Sequence, residues 1–417
     1  MLHPLLLPLL LALLQSIAGS PTFNAQHDVR PGWENEIIEE NDSTIDDAPE
    51  YYYEDEFGNI NTSRKRTAIH HQLGKRDGTV IRAKTSRPEV KFWSQAPGQE
   101  LQNLVDFAFL DYAGSGVIIY VHDSGLNEDH PEFKGVLPAG VNRGQIKVLQ
   151  PPNVPTVNGD VEGHGTCVAD KAVGTLYGIA KSANLTMVPF ADFKNDDYML
   201  AELQAIIDDI KAKKADNAKE DKPEFWVVNL SYSLGKTVLD DSDLREKYRE
   251  KYLAMVKEGA LLTVAAGNGG YRAVSQYPAL FAEEDAFKDN MIVVGGIDVY
   301  GRRPSFSQGG PLVTVWAPAL LEVGKTKGIM CAKGSGSGSY LRAGTSLATS
   351  QVAGLAAYLY SSDSSLRRAD NVAQAIKKKI ESRSANGASY MRSGSNLRGI
   401  WNRESGTPWT VGECVCC

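Results

Sequence analysis

From about Pro88 onward, short apolar runs alternate with amphipathic stretches, and this alternation predicts βαβ units around a parallel sheet. The apolar runs are 116–121, 184–188, 225–230, 260–266 and 291–294. The runs read as continuous rather than alternating, with only isolated polar residues such as Asn184, Thr186, Asn229 and Thr263 among them, which is the pattern of a strand covered on both faces. Leu200, Leu203, Ile206, Ile207 and Ile210 recur at helical spacing within 197–214, and 240–258 supports another helix. The small apolar residues 167–174 predict a buried helix, and two more helices are expected over 345–360 and 371–382. Glycine and serine dominate Lys333 to Ser339, which predicts a flexible loop. The fold class expected is α/β with a mostly parallel central sheet flanked by helices.

The first 88 residues have a different character. Residues 1–18 are nearly all Leu, Pro and Ala and fall short of the roughly 20 residues a membrane span needs. They are expected to be a secretory signal peptide, with Ser16-Ile17-Ala18 as a small-x-small cleavage site. An uncleaved anchor is the alternative, without a charged flank to support it. From Glu34 to Glu56 there are 11 acidic residues and no basic ones, against a net charge of −7 for the whole chain. The acidity therefore belongs to this segment, and the remainder is net positive by about 4 charges. With no sustained helical or strand period, residues 19–88 are expected to be a disordered propeptide. Lys65-Arg66 and Lys75-Arg76 resemble sites for a kexin-type processing protease, the alternative being a solvated basic patch.

At 417 residues and 42% hydrophobic content, the chain can bury a large core, which excludes a fibrous or wholly disordered protein. Residues 89–400 are expected to form one domain, followed by a Cys-containing tail over 401–417. Secretion to the extracellular space would make Asn41, Asn61 and Asn184 eligible for glycans, whereas Asn229 lies in an apolar run and is expected to be inaccessible. The five cysteines, Cys167, Cys331, Cys414, Cys416 and Cys417, cannot all pair within one chain and show no metal-ligand spacing. Cys167 follows His164 by one helical turn and reads as a buried inert thiol or as a thiol that makes activity reagent-sensitive.

Hydrolysis through a nucleophile needs a hydroxyl, a base, a group that orients the base and donors for the oxyanion. Asp123 stands at the carboxyl end of a predicted strand, the edge at which open α/β sheets bind ligands, although an Asp before Ser-Gly is also an ordinary turn former. His164 lies between Gly163 and Gly165 at the start of a predicted helix, where backbone and substrate can come close. Asn268 follows a predicted strand inside Ala265-Ala266-Gly267-Asn268-Gly269-Gly270, a turn by itself, but one whose amide can donate to a developing negative charge. Ser346, in Gly344-Thr345-Ser346-Leu347-Ala348, opens a predicted helix, either as a plain N-cap or as a serine set in the positive field of the helix terminus.

These four blocks, in the order Asp, His, Asn, Ser, resemble the subtilisin-like serine proteases, in particular the secreted fungal and proteinase K-like members. Further similarity lies in His164-Gly-Thr-Cys-Val-Ala, Tyr177-Gly178-Ile179-Ala180, Val228-Asn229-Leu230-Ser231-Tyr232-Ser233, Phe306-Ser307-Gln308-Gly309 and Trp316-Ala317-Pro318, so that it covers roughly residues 90 to 360. The resemblance implies a three-layer fold and an endopeptidase in which Ser346 is the nucleophile, His164 the general base and acid, Asp123 its orienting group and Asn268 the oxyanion donor. It also implies that Ser231, Tyr232 and Ser233 bind substrate backbone. Leu347, Ser350, Ser233 and Tyr232 depart from the residues frequent in the family, which predicts altered packing and reshaped pockets and leaves the chemistry in place. No folded inhibitory prodomain is recognisable before residue 90. Protein or peptide substrates are expected, with no cofactor required, structural calcium without assignable ligands, no nucleic acid, no membrane once the leader is removed, and a monomer. Two other readings stay open: an inactive subtilisin-like binding protein, and a metal hydrolase using His122, Asp123, His130 and His164, the latter without any His-Glu-x-x-His arrangement.

Overall fold

The computed structural model describes residues 78–402 except 86, 97–100, 221–223, 299, 324–325, 383–388 and 392–397, together with 37–39, 51–54 and 60–61. Its main sheet has nine strands: β1 (Val117–Asp123), β2 (Ile146–Val148), β3 (Asn184–Pro189), β4 (Phe225–Leu230), β5 (Leu261–Ala265), β6 (Met291–Asp298), β7 (Val315–Leu320), β8 (Ser389–Met391) and β9 (Arg398–Ile400). Their order is β8-β9-β7-β6-β5-β4-β1-β3-β2. All neighbours are parallel except β8 and β9. The five apolar runs fall on β1, β3, β4, β5 and β6, within three residues at either end, except that β6 continues to Asp298.

Helices α1 (His164–Val173), α2 (Asp196–Glu220), α3 (Ser242–Lys257), α4 (Thr345–Ser362) and α5 (Val372–Glu381) cover the two faces. Alternate residues of a strand point to opposite sides, and the two largest cores divide accordingly. Val117, Ile119 and Val121 pack with Val168, Ala169 and Ala172 of α1 and Ala348 and Val352 of α4. Ile118 and Tyr120 pack with Leu203, Ile206 and Ile210 of α2 and Tyr248, Tyr252 and Met255 of α3. The result is a three-layer α/β fold.

Strand order reverses at the centre of the sheet. From β1 the chain passes to the edge strand β2 and returns through β3, then crosses β1 to β4, from which it runs outward through β5, β6 and β7. The crevice beyond the carboxyl ends of β1 and β4 is therefore a topological switch point, where connecting loops part and leave room for a ligand.

The folded body starts earlier than residue 89. Val80–Lys84 pairs antiparallel with Asp106–Leu110 and buries Ile81 and Ala83 in the α1-side core. Within the segment expected to lack strands, Tyr51–Glu54 pairs with Val80–Lys84, and Ile37–Glu39 pairs with Ser339–Ala343. An edge strand offers backbone partners whatever the side-chain period of the segment that joins it, so periodicity alone misses such pairings. At the other end Asn402 is buried, donating Nδ2 to Ala108 O (2.6 Å), so the body extends two residues past the expected boundary at 400. The leader, both dibasic steps and Cys414, Cys416 and Cys417 lie outside the described residues. Among the described residues no helix is long and apolar enough to cross a membrane.

Candidate active site

Asp123 is the last residue of β1 and shares the face of Val121, towards α1 and α4. His164 is the first residue of α1. Its Nδ1 lies 2.6 Å from Asp123 Oδ1, with both side chains fully buried. A carboxylate only accepts, so Nδ1 donates and the neutral ring carries its basic lone pair on Nε2. The same oxygen accepts from Ser124 N (2.7 Å), and Oδ2 is buried without a partner among the described residues. Gly165 makes the close approach possible: a Cβ there would stand 2.3 Å from Gly125 O and 3.2 Å from Asp123 Oδ1.

Asp160 is a buried residue beside this pair that the sequence did not single out. Its Oδ1 accepts from Ser124 Oγ (2.8 Å) and Gly163 N (2.9 Å), and its Oδ2 from Thr166 N and Thr166 Oγ1 (both 2.7 Å). It thereby satisfies buried N–H groups at the start of α1 that no helical carbonyl reaches and ties that start to the loop after Asp123. An acidic residue four positions before His164 was the available signal, but only the folded loop shows both sets of partners.

Ser346 is the second residue of α4 and is almost fully buried. Its hydroxyl donates to Ser231 O (3.0 Å) rather than to His164, and Ser231 Oγ donates back to Ser346 O (3.0 Å). Ser346 is thus fastened to the carboxyl end of β4, beside β1. The helices carrying the imidazole and the hydroxyl pack on each other where Gly354 of α4 meets α1; a Cβ at 354 would lie 2.9 Å from Ala172 O. Asn268 follows β5. Its Oδ1 accepts from both Thr345 N and Thr345 Oγ1 (2.9 Å each), so the carbonyl end of the amide is committed to the start of α4 and Nδ2 is the end that can donate elsewhere. Asp123 ends, and Ser231 and Asn268 follow, three adjacent parallel strands at their carboxyl edge, at the switch point.

Several expectations need correction. Cys167 is not a thiol: it is disulfide-bonded to Cys331. Cys331 belongs to the strand Ile329–Ala332, whose hairpin partner Ser339–Ala343 leads into α4, so the bond joins the first turn of α1 to the hairpin that delivers Ser346. The pairing was illegible because cysteines 164 positions apart carry no signal of proximity. The hairpin also shortens the expected flexible loop, since Ser339 already starts a strand. Ser231 and Ser233 lie at the predicted edge, but the Tyr232 side chain is turned into the α2 and α3 core, 1% exposed, so it shapes no open pocket. Ser350, in the helix after Ser346, donates Oγ to Leu347 O (3.1 Å). Asn229 is buried, as its apolar surroundings implied.

His122, His130 and His164 have separate partners: Glu202 and Tyr232 for the first, Gly338 O and Glu132 N for the second, Asp123 for the third. Among the described residues no group of three or more His, Cys, Asp or Glu side chains is arranged to hold a metal ion.

Ionisable groups are buried behind α1. Lys181 Nζ donates to the carbonyls of Gly174, Thr175 and Gly178 (3.2, 2.8 and 2.9 Å) and lies over the rings of Phe107 and Phe109. Burial, only partly offset by Glu132, lowers its pKa to about 7. Burial and then Glu132 push the Asp170 carboxyl well above the ordinary carboxylate range, although Ala332 N donates to it (2.8 Å).

A carboxylate, an imidazole and a helix-mounted serine gathered at the switch point of a parallel sheet define the class: an α/β protein equipped for nucleophilic chemistry on serine. The subtilase family model matches residues 114–398, and the chain belongs to that family. It is 36% identical over 260 residues to "Subtilisin-like protease 2" of Arthroderma benhamiae, covering 62% of this chain and 53% of that protein, and equally so to the protein of the same name from Trichophyton rubrum. The chain thus matches about half the length of these relatives. Among solved structures, that of a cold adapted subtilisin-like serine proteinase superposes with a TM-score of 0.52 at 21% identity, covering 76% of this chain and 97% of that one.

Proposed function

We propose that the chain is a serine endopeptidase that cleaves protein or peptide substrates through an acyl-enzyme on Ser346. The observation that carries the reading is the 2.6 Å contact of Asp123 with His164, at the sheet edge where Ser346 is fastened to β4. In the reaction, Ser346 Oγ turns from the Ser231 carbonyl to His164 Nε2, which takes its proton as Oγ attacks the substrate carbonyl carbon. The developing oxyanion accepts hydrogen bonds from Asn268 Nδ2 and from the Ser346 backbone N–H at the start of α4. His164 then protonates the departing amine. Water, deprotonated by His164, opens the ester and returns the serine. Asp123 holds the ring in one tautomer throughout and stabilises its charged form. Ser231 and Ser233 offer backbone to the substrate. No cofactor takes part in these steps, and structural calcium remains a proposal without assigned ligands.

The leader, the dibasic steps and the family support secretion, removal of the propeptide by a kexin-type protease and a monomeric extracellular product. A mature start after Arg76 retains Val80–Lys84 in its sheet, so cleavage far beyond Gly78 would strip a strand from the body. Reaction of the purified chain with a fluorophosphonate, abolished by Ser346→Ala, tests the activity. A processed chain that neither labels nor cuts unfolded casein would replace this reading with that of an inactive binding scaffold. Mass spectrometry of the secreted product tests the processing, and a start at Gly19 would contradict it.

A further inference from the structure

Consecutive residues of β1 hold two carboxylate–imidazole pairs on opposite faces of the sheet. Asp123 meets His164 on the α1 side. On the other side His122 Nε2 lies 2.9 Å from Glu202 Oε2 of α2, both side chains fully buried. His122 Nδ1 lies 3.0 Å from the Tyr232 hydroxyl, which lies 3.1 Å from the Tyr252 hydroxyl of α3. Glu202 Oε1 accepts from Ala191 N (2.8 Å), and the rings of Phe190 and Tyr232 meet His122 edge-on, with centroids 4.7 and 5.4 Å away. With Glu202 as acceptor, Nε2 carries the proton in the neutral ring, Nδ1 accepts from Tyr232, and Tyr252 donates to Tyr232.

This network is sealed from solvent and cannot touch a substrate, yet it lies between the two segments on which the site depends. His122 immediately precedes Asp123. Tyr232 lies between Ser231, whose carbonyl holds the Ser346 hydroxyl, and Ser233. β1 and β4 are hydrogen-bonded as far as Val121 and Asn229, and beyond that pair the two chains part. The Tyr232–His122 bond spans them there. A buried polar network whose bonds are all made favours one arrangement, because any other leaves a donor or acceptor unpaired in a dry site.

We propose that Glu202, His122 and Tyr232 are positioning residues which set segment 231–233 against the end of β1, so that an extended peptide lying along it presents its carbonyl to Ser346. The inference rests on the peptidase reading. Tyr232→Phe keeps the ring in its aromatic surroundings and removes only the hydroxyl.

The test compares purified wild type, Tyr232→Phe and Glu202→Gln on an extended peptide amide and on a small activated ester that acylates Ser346 without occupying the segment. Folded fraction is measured by thermal unfolding, and active Ser346 is counted by fluorophosphonate labelling. Per active site, kcat/KM for the peptide is expected to fall about tenfold more than for the ester, with the larger part of the loss in KM. A ratio of peptide to ester activity unchanged in both variants overturns the inference. So does failure of both to fold, which would make the network a structural prop. Should only Tyr232→Phe fail to fold, Glu202→Gln carries the comparison. A wild type that does not label removes the peptidase reading itself, a result distinguishable from the others.

Discussion

His164 Nδ1 and Asp123 Oδ1 stand 2.6 Å apart across 41 positions of chain, each at the end of a different element: the last residue of a strand and the first of a helix. Neither element has to bend to bring them together, because a βαβ crossover returns its helix to the sheet with its start at the carboxyl edge. A charge-assisted bond in a buried site is strong and directional.

Replacing Asp123 by Asn keeps the shape but supplies an amide that can donate to Nδ1 and so favours the wrong tautomer. The expected result for Asp123→Asn is a fall in kcat of about 10⁴-fold with little change in thermal unfolding, by analogy with the serine protease case that established this behaviour. Steady-state hydrolysis and calorimetry measure the two quantities, and a loss under tenfold would remove Asp123 from the proposed role.

Asn268 has two separable duties, because Oδ1 holds Thr345 while Nδ2 is the proposed oxyanion donor. Asn268→Asp retains acceptors for Thr345 and removes the donor, so kcat is expected to fall about 10²- to 10³-fold with the fold intact. Asn268→Ala also leaves Thr345 N and Oγ1 unpaired, and is expected to lower stability by a further 1–3 kcal/mol or so. Equal stabilities of the two variants would show that the Thr345 contacts contribute nothing.

The disulfide Cys167–Cys331 closes a separation of 164 residues. Replacing both cysteines by alanine is expected to cost about 2–4 kcal/mol in denaturant unfolding, the usual range for a native bond. Alkylating reagents applied without a reductant are expected to leave Cys167 unmodified, and peptide mapping of the treated protein checks this.

Lys181 predicts a pH dependence of stability. Its pKa is about 7 in the folded protein and near 10.5 unfolded, so between these values the unfolded chain binds more protons and stability rises with pH. Below about pH 7 the full penalty of burying a charge, on the order of a few kcal/mol, is present. Unfolding free energies measured in a Ser346→Ala background, which prevents self-digestion, are expected to rise from about pH 7 towards pH 10, and less so in Lys181→Met. Parallel curves for the two proteins would show that Lys181 is not the group responsible.

How much of this could be read in the sequence depended on the range of the signal. Runs such as 225–230 are apolar because both faces are covered, and that local fact placed β4 to the residue. Val80–Lys84 and Tyr51–Glu54 were missed because their pairing depends on a partner strand and carries little period of its own. Asp160 looked like one more loop carboxylate, and its four bonds appear only once residues 124 and 163–166 surround it.

By itself, the sequence determined the α/β class, the positions of the principal strands and helices, and the residues offered for chemistry, since each is written in hydrophobic period or in a short run of neighbours. Tertiary structure alone decided which cysteine meets which, that the Tyr232 side chain turns inward between Ser231 and Ser233, and that His122 lies against Glu202. Those contacts join positions 80 to 164 residues apart, and the distance between such positions is fixed by how helices and strands stack, which no local pattern of side chains encodes.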